Sequence, residues 1–141
     1  MPGSTGRRVL IVEDEAFIAM AVEDALLAAG YTPVGPVSSE TAALHLADAH
    51  APSLAVLDIN LGPGGSGLVV GRTLAARGVT VLFATGNGQT HEQDMQQAGA
   101  RAWLGKPYDP EDIPRAFDLM AMLAAGKLPR LALPRTFHML A

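Results

Sequence analysis

The stretch Arg8-Val9-Leu10-Ile11-Val12-Glu13-Asp14 decides the fold, because an unbroken apolar run closes on a pair of acids. A short continuous hydrophobic run is the pattern of a strand buried on both faces, hence of a parallel sheet, and the two carboxylates then stand at its carboxyl end. The same grammar returns three times. Leu54-Ala55-Val56-Leu57 ends on Asp58, Val79 to Ala84 delivers Thr85, and Ala102 to Gly105 delivers Lys106. Carboxylates, a hydroxyl and an ammonium are thereby aimed at one sheet edge.

Between these runs lie amphipathic stretches, so strand and helix alternate five times. The first helix is predicted to follow Asp14 and stop at Gly30, burying Ile18, Val22, Ala25 and Leu26. A weaker strand over Tyr31 to Val37 contains Pro33 and Pro36, which remove ladder donors and place it at an edge. Ser39 caps a helix through about Ala49. Gly62-Pro63-Gly64-Gly65-Ser66-Gly67 is too rich in glycine for either regular state and reads as a mobile loop before a helix over Leu68 to Arg77. A helix over Glu92 to Ala98 ends at Gly99. The last helix begins after Asp109-Pro110, with Pro110 suited to its first turn and Ile113, Phe117, Met120 and Leu123 inward.

Asp14 to Asp58 is 44 residues, Asp58 to Thr85 is 27, and Thr85 to Lys106 is 21. A strand, a crossover helix and the next strand take roughly 30 residues. The first interval is therefore two units and the others one each. Right-handed crossovers put all four positions on the carboxyl edge of one doubly wound sheet, where such sheets bind ligands.

The 141-residue chain is of one-domain size and carries no cysteine, so disulfides and thiol chemistry are excluded. No apolar run approaches the roughly 18 residues of a membrane span, and the opening residues lack a signal-peptide core. A soluble, cytoplasmic protein without membrane contact is expected. Residues 1–125 hold 7 basic and 14 acidic side chains, a net of -7, while 126–141 add Lys127, Arg130 and Arg135 with no acid, a net of +3. An acidic body without a basic recognition helix argues against direct nucleic-acid binding.

Three carboxylates within ~5 Å repel by ~3 kcal/mol per pair at an effective dielectric of ~20, so Glu13, Asp14 and Asp58 must protonate, splay or recruit a cation. Oxygen donors without His or Cys select Mg²⁺, with Mn²⁺ as the alternative, and Mg²⁺ shares its shell readily with phosphoryl oxygens. Lys106 and Thr85 suit a negative group arriving on a carboxylate. Asp58, alone on its strand, is the best nucleophile for a phosphoryl group.

These residues, in this order and spacing, resemble the response-regulator receiver domain of bacterial two-component signalling, over about residues 7–125. The resemblance implies a flavodoxin-like (βα)5 fold, an α/β doubly wound parallel five-stranded sheet of order 2-1-3-4-5; outside it, residues 1–6 read as a flexible N-terminus and 126–141 as an apolar, basic tail. It further implies Asp58 as phosphoacceptor, Glu13, Asp14, Asp58 and the Asn60 main-chain carbonyl as Mg²⁺ ligands, Thr85 as switch hydroxyl and Lys106 as phosphate partner. Trp103 falls at the switch-aromatic position, and Pro107 at the proline whose peptide bond is typically cis. Asn60 and Asn87 border the route of hydrolytic water and would tune phosphate lifetime. Leu82-Phe83-Ala84-Thr85-Gly86 is similar to the Phe-Ala-Thr-Gly signature of stand-alone receivers tied to stress-response phosphorelays.

Two departures stand out. Gly62 takes the place where the family often has proline, with Pro63 following, and Trp103 is larger than the usual Tyr or Phe. His45, His50, His91 and His138 have no second ligand at useful spacing and read as surface or satisfied histidines. The tail, too short for an output domain and interrupted by Pro129 and Pro134, is expected to pack on its own domain or a partner's. The expected partners are a histidine kinase or histidine phosphotransfer protein and a downstream protein target. A homodimer would form through the tail or the face built by the fourth helix, fifth strand and fifth helix. Slow self-hydrolysis rather than enzymatic turnover is expected, because a Mg²⁺-dependent aspartyl phosphatase would want an acid at Asn60. A flavin-binding domain of this topology is opposed by Glu13-Asp14-Glu15. A receiver that binds partners without phosphorylation is the remaining alternative.

Overall fold

The computed structural model describes residues 6–127 and 134–140. In chain order the elements are β1 (Arg8–Val12), α1 (Ala16–Ala28), β2 (Thr32–Val37), α2 (Glu40–His50), β3 (Leu54–Leu57), a 3-10 turn (Gly62–Gly64), α3 (Gly67–Ala76), β4 (Thr80–Thr85), α4 (Glu92–Gln97), β5 (Ala102–Gly105), α5 (Asp112–Ala124) and β6 (Phe137–Met139). The sheet order is β2-β1-β3-β4-β5-β6, with the first five strands parallel and β6 antiparallel to β5. The expected order 2-1-3-4-5 is present, and β2, with its two prolines, is an edge strand. The sixth strand comes from the tail.

Side-chain alternation along each strand builds two cores. Val9, Ile11, Leu54, Val56, Leu82, Ala84, Ala102 and Leu104 face α1 and α5, where Val22, Leu26, Ile113 and Phe117 meet them. Leu10, Val12, Ala55, Leu57, Val81, Phe83 and Trp103 face the opposite side, against Ala43, Val70, Leu74 and Met95. Burial of consecutive residues on both faces is what the continuous apolar runs required, and the parallel pairing of β1 to β5 brings the carboxyl ends of those five strands to one rim.

Several local expectations are corrected. On α1 the deeply buried residues are Ala19, Val22 and Leu26, with Ile18 and Ala25 only half-buried. Leu123 is likewise half-buried. Pro110 lies in a turn before α5 rather than in its first turn. The Asp112 carboxylate accepts the Asp109 N–H at 3.2 Å, which holds that turn, and Pro114 occupies the first helical turn, where no N–H is needed. The glycine-rich segment takes regular structure after all. It forms the 3-10 turn and an isolated bridge between Asn60 and Ser66, and Gly67 already begins α3.

In the tail, residues 134–140 pack on the domain, with Phe137 buried in the α1–α5 core and Leu140 against the other. Residues 1–5, 128–133 and 141 of the flanking segments lie outside the described residues. Ending the chain at Gly126 removes the burial of Phe137 and is expected to cost roughly 2–3 kcal/mol. Urea denaturation of the two lengths measures it, and an unchanged midpoint would contradict the packing role.

Candidate functional site

β1 and β3 bring Glu13, Asp14 and Asp58 to one point on the carboxyl rim, and each offers a carboxylate oxygen within 4.8 Å of the others. Glu13 and Asp58 are buried, at 7% and 8% exposure, while Asp14 faces solvent. Lys106, just past β5, lays its Nζ between the buried pair, 2.9 Å from Glu13 Oε1 and 3.0 Å from Asp58 Oδ2. Glu15 Oε1, at 3.6 Å, is a further anion beside the ammonium. Its proximity is set by the start of α1, and no spacing rule pointed to it. Within this cluster the charges are two buried carboxylates, two exposed ones and a single ammonium, so net negative charge is concentrated where the chain exposes oxygen donors.

Burial pushes the Glu13 carboxyl up to about 7, against the pull of its hydrogen bonds to Lys106 and the Glu15 N–H. Burial alone would lower the Lys106 ammonium, but its bonds to Glu13 and Asp58 outweigh that and hold it above its usual range. Glu13 therefore keeps in the native state a proton that the unfolded chain loses near 4.5. Between about pH 4.5 and 7 the native state binds more protons, so this group makes stability fall as pH rises, and the effect levels off above 7. Lys106 contributes nothing to this window, because its loss begins only above the unfolded lysine value. In the absence of divalent ions, Glu13→Gln is expected to remove roughly 1–3 kcal/mol of that decline. Parallel denaturant titrations at pH 5 and pH 8 measure the difference.

The segment after β3 is shaped around Asp58. The Asn60 N–H donates to Asp58 Oδ1 at 3.3 Å, and Asn60 Oδ1 accepts the Gly62 N–H at 2.9 Å. From α2, Glu40 Oε2 accepts the Ser66 N–H at 2.7 Å, which latches the turn down and, through the Asn60–Ser66 bridge, steadies Asn60. Glu40 is remote in sequence and carries no motif, so only the fold brings it here. Gly67 starts α3 so close to β3 that a Cβ would collide with the Asp58 carbonyl oxygen, a backbone atom that cannot step aside. Gly67→Ala is expected to cost about 1–3 kcal/mol in denaturant unfolding, the range for forcing extra volume into a packed site.

Thr85, 4% exposed, ends β4 with its Oγ1 accepting the Asn87 N–H at 3.4 Å. Its carbonyl accepts the Lys106 N–H at 3.0 Å, which ties β4 to β5 beside the acids. Asn87 itself is exposed. The Lys106–Pro107 peptide bond is cis, as is Gly35–Pro36. Trp103 is buried on β5 and donates its indole N–H to Glu92 Oε2 at 3.0 Å, while its ring stacks on His138 at 4.0 Å between centroids. His45 and His50 are exposed, and His91 lies 3.5 Å from Asp94 Oδ2. His138 is the exception among the histidines, since it has an aromatic partner. Neither Glu92 nor His138 was marked by any spacing.

Beside Lys106, a cavity of about 490 Å³ is lined by Phe17, Ile18, Ala21, Pro107, Tyr108 and Pro110. Phe17 is 88% exposed, an unusual setting for a phenylalanine on the rim of a polar site.

A family model described as the response regulator receiver domain matches residues 9–118. The chain belongs to that family. Its receiver is 32% identical over 115 residues to the transcriptional regulatory protein PdtaR of Mycobacterium tuberculosis, a match covering 80% of this chain and 56% of PdtaR. The chemotaxis protein CheY of Bacillus subtilis is 26% identical over 113 residues, covering 79% of this chain and 94% of CheY. The chain thus spans about half the length of the first of these relatives and nearly all of the second. Among solved structures, a NarL response-regulator receiver domain from Mycobacterium tuberculosis superposes with a TM-score of 0.73 at 27% identity, covering 83% of this chain and 98% of that one. Among the described residues of the receiver, no helix is long and apolar enough to cross a membrane.

Proposed function

We propose that this receiver takes a phosphoryl group onto Asp58 from a phosphohistidine of a histidine kinase or phosphotransfer protein, and signals by protein–protein interaction within a phosphorelay in the cytoplasm. The observation that carries the reading is the juxtaposition of three carboxylate oxygens within 4.8 Å with Lys106 seated on Asp58 and Glu13. An all-oxygen donor set of this size fits a hard divalent ion. Glu13, Asp14, Asp58 and the Asn60 main-chain carbonyl would hold Mg²⁺, or Mn²⁺ in its place. Bound there, the ion would neutralise the approach of two anions and polarise the phosphoryl oxygens.

The chain's own residues carry the remaining steps. An Asp58 carboxylate oxygen attacks phosphorus, the new O–P bond forms as the donor's P–N bond breaks, and the departing imidazole takes its proton from solvent. Lys106 moves its hydrogen bond from the carboxylate to a phosphoryl oxygen, and the Thr85 hydroxyl donates to another. Asn60 stands where an aspartyl phosphatase would place a second acid, so the acyl phosphate is lost by slow hydrolysis and the chain is a signalling acceptor rather than an enzyme. Asn60 and Asn87 set how water reaches it. The apolar groove of Phe17, Ile18 and Pro107 adjoins Lys106, which suits docking of the donor's helix beside the acceptor.

Incubation with Mg²⁺ and acetyl phosphate tests this. The expected product carries one hydroxylamine-labile phosphoryl group by intact mass. No gain, or a hydroxylamine-stable label, would overturn the reading.

A further inference from the structure

We propose that the C-terminal strand β6 reads out the state of Asp58: it lies across β5 while Asp58 is free and is released when the phosphoryl group arrives. This rests on the acceptor reading above.

The coupling runs through Trp103, the sole tryptophan of the chain. Its indole touches three elements at once. Glu92 on α4 holds the N–H at 3.0 Å. His138 on β6 covers one face, with rings inclined by only 15°. Gly88, in the loop leaving Thr85, presses its backbone so close that a Cβ there would overlap the indole. With no side chain between backbone and ring, a shift of the loop toward the ring displaces the indole. Drawing Thr85 onto a phosphoryl group shifts the loop that leaves it, and the displaced indole loses its stack on His138.

β6 is built to let go. It makes three register pairs, Ala102 with Met139, Trp103 with His138 and Leu104 with Phe137. Phe137 is its one buried side chain, and Met139 is 45% exposed. The Thr136 hydroxyl oxygen just before it is buried without a hydrogen-bond partner, which leaves the docked strand imperfectly satisfied. A cavity of about 430 Å³ separates the 86–90 loop from β6, lined by Asn87, Gly88, Trp103, Thr136 and His138 among others. The loop and the strand thus face one another across space into which the ring can move. The backbone bonds at the two ends of the pairing, Gly105 N–H to Thr136 O at 2.9 Å and Leu140 N–H to Arg101 O at 3.0 Å, are the reporters of docking.

Hydrogen exchange of the full chain, read by mass spectrometry with and without acetyl phosphate and Mg²⁺, tests the inference. The Gly105 and Leu140 amides, which bond across the β5–β6 pairing, are expected to exchange at least about tenfold faster in the phosphorylated protein, with a red shift of Trp103 emission. His138→Ala should speed the same amides without phosphorylation. Because the chain has no cysteine, Ala102→Cys with Met139→Cys, which face each other in the register, should form a disulfide that locks β6. The locked protein should still gain the phosphoryl mass while those amides stay slow. Unchanged or slower exchange in protein whose mass proves phosphorylation overturns this inference and leaves the acceptor reading standing. Failure to gain the mass overturns both.

Discussion

Asp58→Asn is expected to abolish phosphoryl uptake from acetyl phosphate outright, with no residual mass gain, while the protein stays folded. Asn keeps the side chain's shape and can still accept from the Asn60 N–H, the bond that Asp58 Oδ1 makes at 3.3 Å. It lacks the negative oxygen that the proposed attack on phosphorus requires, and an amide is a far poorer nucleophile. The same change removes one of three mutually repelling carboxylates, so stability without divalent ions should hold or rise, because Lys106 keeps Glu13 at 2.9 Å. Mg²⁺ affinity should fall by about tenfold or more, since a charged ligand has gone. Intact mass and calorimetric Mg²⁺ titration read the two effects. A phosphoryl group on the variant would place the acceptor elsewhere.

Lys106→Met should have the second largest effect, and it separates fold from chemistry. The ammonium is the only cation hydrogen-bonded to Asp58 and Glu13 among the described residues. Removing one partner of a buried ion pair typically costs about 3–5 kcal/mol, because the remaining charge is left uncompensated. Here the loss falls on two carboxylates, and Glu13, already pushed up to about 7 by burial, will take a proton to limit it. The cost should therefore be greatest above pH 7 and shrink toward pH 5. Mg²⁺ should restore much of the stability by supplying the missing positive charge, yet the rate of phosphoryl uptake should stay down by roughly 10²-fold or more, since the ion cannot replace a donor aimed at the phosphoryl oxygens. Urea denaturation with and without Mg²⁺, beside uptake rates, distinguishes the two roles. A variant as stable as wild type in the absence of metal would show that the Lys106 contacts contribute nothing net.

How much of this was legible depends on how far each signal travels along the chain. The run ending at Asp14 declares a buried parallel strand because burial on both faces needs no partner to be named, only continuous apolarity. The edge position of β2 follows from Pro33 and Pro36 for an equally local reason. Pro110 misled, since a proline suited to a helix's first turn fits just as well in the turn before it, and the Asp112 side chain decided between them. The glycine-rich segment after Asp58 misled as well. Glycine permits mobility but also permits contact, and at Gly67 the close approach to the Asp58 carbonyl uses that second property.

By itself the sequence determined the five parallel strands, their two-sided cores and the placement of carboxylates, hydroxyl and ammonium on one rim, because strand period and crossover length are properties of consecutive residues. Only the tertiary structure decided that Glu40 latches the loop after Asp58, that Glu92 and His138 enclose Trp103, and that the tail adds a sixth strand to β5. Those contacts join residues whose separation along the chain bears no relation to their distance in space, and their energy comes from geometry that exists only after the sheet has formed.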